Sequence, residues 1–200
     1  MKNAMTGLVG CVFLLSMTLP VNANLLLNSD MESNTEGVVD NWTFSAWSLP
    51  SYPCTGEYVT ETSYSPTHSL KLSASVSGNG KWYQWVNVTA GTTYTLSAYF
   101  KKTDGLSMTM GGKFYDASNN LLLTFNINEP GGTYDWTQYS GNITAPDTAV
   151  KAELYFCFYH ATGTAWADNI TFTAVPEPAT MMLLGLGSVS VIIGRRRRYN

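Results

Sequence analysis

Arginine is absent from the first 194 residues of this 200-residue chain, and only 12% of all residues are charged. Between Asp30 and Glu177 lie all fourteen acidic residues, against six lysines: Lys71, Lys81, Lys101, Lys102, Lys113 and Lys151. That region therefore carries a net charge of -8. A body this acidic, with no guanidinium, is unsuited to gripping phosphate backbones, which excludes nucleic acid as a partner. Histidine is almost missing, with only His68 and His160, and no Cys/His spacing suits zinc. Gly-x-Ser-x-Gly, His-Glu-x-x-His and phosphate-loop motifs are also absent. Helix-forming Ala, Leu, Glu, Lys and Arg are too sparse for a helical bundle. Disorder is excluded as well, because aromatics reach 13% while charge stays low.

The chain is rich instead in hydroxyl and β-forming residues. It has 24 Thr and 18 Ser, together with abundant Tyr, Trp, Val and Phe, which suit half-buried pleated surfaces. No window between Asn24 and Ala174 sustains a helical period. Alternation at period two recurs and predicts strands at 25–28, 41–47, 57–62, 69–75, 81–89, 93–101, 107–116, 121–128, 136–144, 150–159 and 165–173. Turn clusters separate them, among them Ser77-Gly78-Asn79-Gly80, Ala90-Gly91, Ser118-Asn119-Asn120 and Ala145-Pro146-Asp147. The expected fold is an all-β, antiparallel two-sheet sandwich over residues 24–174.

Both ends are addresses. Lys2, the apolar run Leu8 to Leu19 and then Val21-Asn22-Ala23 predict a secretory signal, residues 1–23, cut after Ala23. At the other end come Pro176-Glu177-Pro178, an uncharged run from Met181 to Gly194, and Arg195 to Arg198. The apolar run predicts a short transmembrane helix with the arginines on the cytoplasmic side. This tail, residues 175–200, resembles the PEP-CTERM sorting signal. The resemblance implies export, an inner-membrane anchor in transit, handling by an exosortase-type enzyme, and a Gram-negative producer of exopolysaccharide. The expected destination is the cell surface or the extracellular matrix.

The body has a resemblance of its own. Asn24-Leu25-Leu26-Leu27-Asn28-Ser29-Asp30-Met31-Glu32, then Trp42, Ser69-Leu70-Lys71-Leu72, the stretch Gln84 to Tyr99, and Ala167-Asp168-Asn169-Ile170 follow in order. This series is similar to carbohydrate-binding modules of the family 4/9 type. That implies a jelly roll of galactose-binding-like topology. It also implies one structural Ca²⁺ between the opening segment and the last strand, at Glu32 and Asp168 with Asp30 as a further ligand. Ser29, Met31 and Ala167 depart from the family's Gly, Phe and Asp.

Parity along the strands nominates a site. With Val86 and Val88, Leu96 and Phe100, and Leu154 and Phe156 inward, Tyr83, Trp85, Tyr99, Glu153, Tyr155 and Tyr159 point outward. Flat rings suit the C–H faces of pyranoses, and neighbouring polar groups suit their hydroxyls. Each ring has the alternative of packing under a loop. Trp42, Trp82, Trp136 and Trp166 are expected in the core or at its edge. Glycoside hydrolysis needs two carboxylates at a set separation, and the sequence offers no such pair. The expected function is non-catalytic binding of a polysaccharide, such as the producer's exopolysaccharide. The alternatives are a structural matrix protein that binds no sugar, and a hydrolase. Cys54 and Cys157, exported to an oxidising compartment, are expected as a disulfide, which would cover part of the aromatic face.

Overall fold

The computed structural model describes residues 23–103, 108–128 and 131–176. Ten strands form, and no helix is present among the described residues. They are β1 (Asn34–Thr35), β2 (Val38–Val39), β3 (Thr43–Ala46), β4 (Thr55–Val59), β5 (Ser69–Asn87), β6 (Thr93–Lys102), β7 (Thr109–Tyr115), β8 (Leu121–Asn128), β9 (Tyr134–Thr144) and β10 (Lys151–Ala174). The short pair β1–β2 turns through Glu36 and Gly37, whose φ values of 52° and 81° suit a tight hairpin.

Two long strands organise the rest. β5 and β10 run antiparallel to each other and pass from one layer of the sandwich to the other. In the first layer, the second half of β5 and the first half of β10 form the centre. β3 lies beyond β5, and β7 then β8 lie beyond β10. In the second layer, β4 flanks the first half of β5, and β6 then β9 flank the second half of β10. Each layer has five strands, and all pairings are antiparallel.

Ser77-Gly78-Asn79-Gly80 is thus not the turn its composition suggests; it lies within β5. The small residues allow β5 to bend around the corner between layers. Opposite them, β10 shifts register between Phe158 and Gly163, with His160 at φ 51° and Gly163 at φ 100°. Buried Asn79 pins the corner by accepting the His160 N–H at 2.8 Å. Strand 25–28 is also absent. That segment is held by side chains: Gln84 accepts the Leu27 N–H at 2.8 Å and donates to the Leu27 carbonyl at 3.0 Å.

The inward residues follow the expected parity. Leu154, Phe156 and Phe158 of β10 face Leu96, Ala98 and Phe100 of β6, all essentially inaccessible. The Phe100 and Phe156 rings, 6.0 Å apart, join the layers. Residues 1–22 of the leader, Glu177 and Pro178 of the sorting motif and the apolar run lie outside the described residues, so the expected transmembrane helix does too. No described helix is long and apolar enough to cross a membrane.

Candidate functional site

The outer face of the first layer carries three cross-strand rows. Thr43, Tyr83, Tyr155, Gly111 and Asn126 form the middle row. Trp85, Glu153, Lys113 and Thr124 lie to one side, and Ser45, Lys81, Cys157 and Thr109 to the other. Tyr159 continues the β10 series beyond them and is 67% exposed, while Trp85 is 47% exposed. Five of the six outward residues read from parity therefore share one surface: Tyr83, Trp85, Glu153, Tyr155 and Tyr159.

Gly111 is central to this surface. A Cβ there would lie 2.2 Å from the Phe125 carbonyl oxygen and 2.7 Å from Asn126 Oδ1. The missing side chain lets Asn126 of β8 reach across β7 and accept a hydrogen bond from the Tyr155 hydroxyl at 3.0 Å. The Tyr155 ring is thereby fixed on the face. Beside it, Lys81 makes an ion pair with Glu153 and lies over the Tyr83 and Tyr155 rings, 4.7 and 5.8 Å from their centroids. Burial, then the nearby Cys157 and Glu153, push the Tyr155 phenol well above the usual tyrosine range, so it remains a neutral hydrogen-bonding group. At the other end Trp85 and Tyr115 have ring centroids 5.2 Å apart, with Lys151 5.1 Å from the Trp85 ring.

A groove of about 550 Å³ runs along this face, lined by Lys81, Thr109, Lys113, Thr124, Asn126, Tyr155, Tyr159 and Trp47. Trp47 escapes sequence reasoning. It follows the end of β3, donates its N–H to the Asn79 carbonyl at the layer corner, and lines the groove.

Tyr99 is not part of this face. β6 pairs with the second half of β10, past the corner, so Tyr99 stands opposite Asp168 on the outer side of the second layer. There Tyr64 stacks on it, with ring centroids 3.5 Å apart. Trp136, expected in the core or at its edge, belongs to the same outer cluster, 6.4 Å from Tyr64. Trp42, Trp82 and Trp166 are buried as expected.

The segment that brings Tyr64 there is clamped by the two carboxylates expected to hold calcium. Asp168 is fully buried. Its Oδ2 accepts the N–H groups of Tyr64 and Ser65, both at 2.8 Å; its Oδ1 accepts the Ser65 hydroxyl and the Asn169 N–H, both at 2.6 Å. Glu32 Oε1 accepts the Thr67 and His68 N–H groups, both at 2.9 Å. Its Oε2 contacts the Thr67 hydroxyl and, at 3.1 Å, His68 Nδ1. A carboxylate offers about four acceptor sites, and here each is engaged by protein donors. The Asp30 side chain is exposed, and its carbonyl accepts the Ser65 hydroxyl at 3.0 Å. No group of three or more metal-ligating side chains occurs among the described residues. In this arrangement the donor set does not fit a cation.

Cys54 and Cys157 are both free, so the expected disulfide is not formed. They occupy opposite sides of the first layer. Cys54 packs inward, its Sγ 2.6 Å from the Cβ position of Gly80, whereas Cys157 lies on the outer face beside Lys81 and Thr109. Burial pushes both thiols up, Cys54 to about 11 and Cys157 to about 12.

Residues 23–162 match the sequence profile of the CBM 4/9 family, described as a carbohydrate binding domain. The chain belongs to this family. Residues 174–198 of this carbohydrate-binding-domain protein match the PEP-CTERM protein-sorting motif. No curated protein matches it in sequence. Among solved structures it is similar to the enzymatically active domain of bacteriophage CBA120 tailspike protein 4, with a TM-score of 0.63 and 19% identity. That match covers 76% of this chain and 21% of the tailspike, so the chain spans about a fifth of that relative. It is also similar to the CBM22-1 xylan-binding domain of Paenibacillus barcinonensis Xyn10C, with a TM-score of 0.56 and 13% identity over 78% and 97% of the two chains. A family 16 carbohydrate-binding module gives a TM-score of 0.52 and 25% identity over 74% and 99%. The likenesses below 25% identity establish the fold alone.

Proposed function

We propose that the protein is a non-catalytic, surface-exposed glycan-binding protein whose ligand lies on the outer face of the first layer. The observation that carries this reading is the groove itself: rings from Trp47, Tyr155 and Tyr159 stand beside the hydroxyl, amide and ammonium groups of Thr109, Thr124, Asn126 and Lys81. Rings supply apolar stacking area and the polar groups supply hydroxyl recognition, the usual composition of a small-ligand cleft. Trp85 extends the platform along the same face. The xylan-binding neighbour's fold is consistent with such a role.

Absence of catalysis is supported by the charge inventory of the face. Among the described residues on it, Glu153 is the one carboxylate, and it is held by Lys81. Hydrolysis would call for a second carboxylate across the bond. The sorting motif supports delivery to the cell surface by an exosortase-type enzyme; the ligand proposed for it there is the producer's exopolysaccharide. Calcium is not needed for this reading.

Affinity electrophoresis against a panel of soluble polysaccharides, with a reducing-sugar assay in parallel, tests the proposal. Retardation without released sugar is expected. Trp85→Ala should weaken it about tenfold, taking base–aromatic stacking, about 1–3 kcal/mol per ring, as the scale, with ~1.4 kcal/mol as tenfold. The exposed position of Trp85 should leave the melting temperature unchanged. Retardation by no glycan would favour a structural matrix role, and released sugar would favour a hydrolase.

A further inference from the structure

The proposed glycan face carries charge of the opposite sign to the domain as a whole. Three of the six lysines of the body, Lys81, Lys113 and Lys151, lie on it, while Glu153 is the one described carboxylate there. The other described carboxylates belong to the opening segment, the second layer or the turns. Away from the face, Lys71 pairs with Glu61 at 2.9 Å and Lys101 with Asp135 at 3.0 Å. On the face, Lys81 is taken by Glu153, and Lys151 is held by Asn119 beside the Trp85 ring. Lys113 is different. It lines the groove between Glu153 and Thr124, and makes no ion pair or hydrogen bond to a described residue.

We infer that the groove selects glycans bearing carboxylates, that is, uronic-acid-containing polysaccharides. This rests on the reading of the face as a glycan-binding surface. Lys113 meets the acid group while Tyr155, Tyr159 and Trp47 take the sugar rings. The domain's net charge of -8 does not defeat this. Packed sheets lie about 10 Å apart, and the Debye length is about 8 Å at physiological ionic strength. A ligand on the first layer is therefore largely screened from the carboxylates of the second and meets a local excess of ammonium groups. A neutral glycan offers Lys113 only uncharged hydroxyl acceptors, whereas a carboxylate adds an ion pair to the hydrogen bond.

The test is affinity electrophoresis of the purified protein in gels containing polygalacturonate, alginate, carboxyl-reduced polygalacturonate, or neutral xylan, at low and high salt. Retardation by an acidic polymer is expected, lost on carboxyl reduction and weakened by salt. Lys113→Gln should reduce it roughly tenfold or more, in the range of a charged hydrogen bond. Lys101→Gln, on the second layer, should not. Equal retention by the carboxyl-reduced or neutral polymers, unmoved by Lys113→Gln, would overturn acidic selection and leave the glycan-binding face standing. Retention by none of the four would overturn both.

Discussion

Glu32 offers the sharpest test of how the second layer is closed, and of which face is free to bind. Its side chain is 24% exposed. Burial opposes ionisation, but the Thr67 hydroxyl and N–H and the His68 ring and N–H outweigh it, holding the carboxyl at about 2 instead of 4.5. A separation of about 2.5 pH units is worth roughly 3 kcal/mol at 1.36 kcal/mol each. Partial exposure screens part of this, leaving about 2 kcal/mol. Glu32→Gln keeps the shape but turns one acceptor into a donor among donors. For a domain of about 150 residues, ~2 kcal/mol corresponds to a fall in melting temperature of about 4–8 °C.

The sign of the pH dependence follows from the depressed value. The stabilisation is complete above the ordinary value of 4.5 and is lost as pH falls toward about 2. Thermal melts of the native protein and Glu32→Gln should thus differ at pH 7, with the gap much reduced near pH 2.5 and closing only below about pH 2. Glycan retardation at pH 7 should be equal, because the clamp serves the second layer and the ligand face is the first. An equal gap in melting temperature at both pH values would refute the linkage. No gap at pH 7 would refute the clamp, and a large loss of affinity would refute the assignment of faces.

Gly111→Ala should destabilise by about 1–3 kcal/mol, because its Cβ would meet the Phe125 carbonyl oxygen at 2.2 Å; urea denaturation measures this, and an unchanged midpoint would contradict it. The two thiols should react slowly with a disulfide reagent at pH 8 in the folded state, since burial holds them at about 11 and 12. Both should react in denaturant without prior reduction, and a count of zero would mean they are bridged. Removing divalent cations with EDTA should leave the melting temperature unchanged, because the acceptor sites of Glu32 and Asp168 are filled by protein donors; a drop reversed by Ca²⁺ would refute that accounting.

Local physics made the class of fold legible. Alternation at period two needs only the pleat of a strand to be read, so the inward set of Leu154, Phe156 and Phe158 and the outward set of Tyr83, Trp85, Tyr155 and Tyr159 are visible in the chain itself. The opening Asn-Leu-Leu-Leu-Asn motif and the sorting tail are contiguous, and they too can be read without coordinates. Tyr99 was beyond that reach. Parity says only that it points away from the core, and which layer it belongs to depends on where β10 changes layer. That crossing is set by register shifts at Phe158–Gly163 and by the bend of β5 through Gly78 and Gly80, where small residues imitate a turn in composition. The same limit hid Trp47, which lines the groove and bonds to Asn79 at the corner, and the roles of Glu32 and Asp168, whose donors arrive from a distant loop. Sequence order determined which side of a strand each residue occupies. Only the tertiary structure decided which strands became neighbours, because pairing over long separations depends on how two bent strands cross between layers.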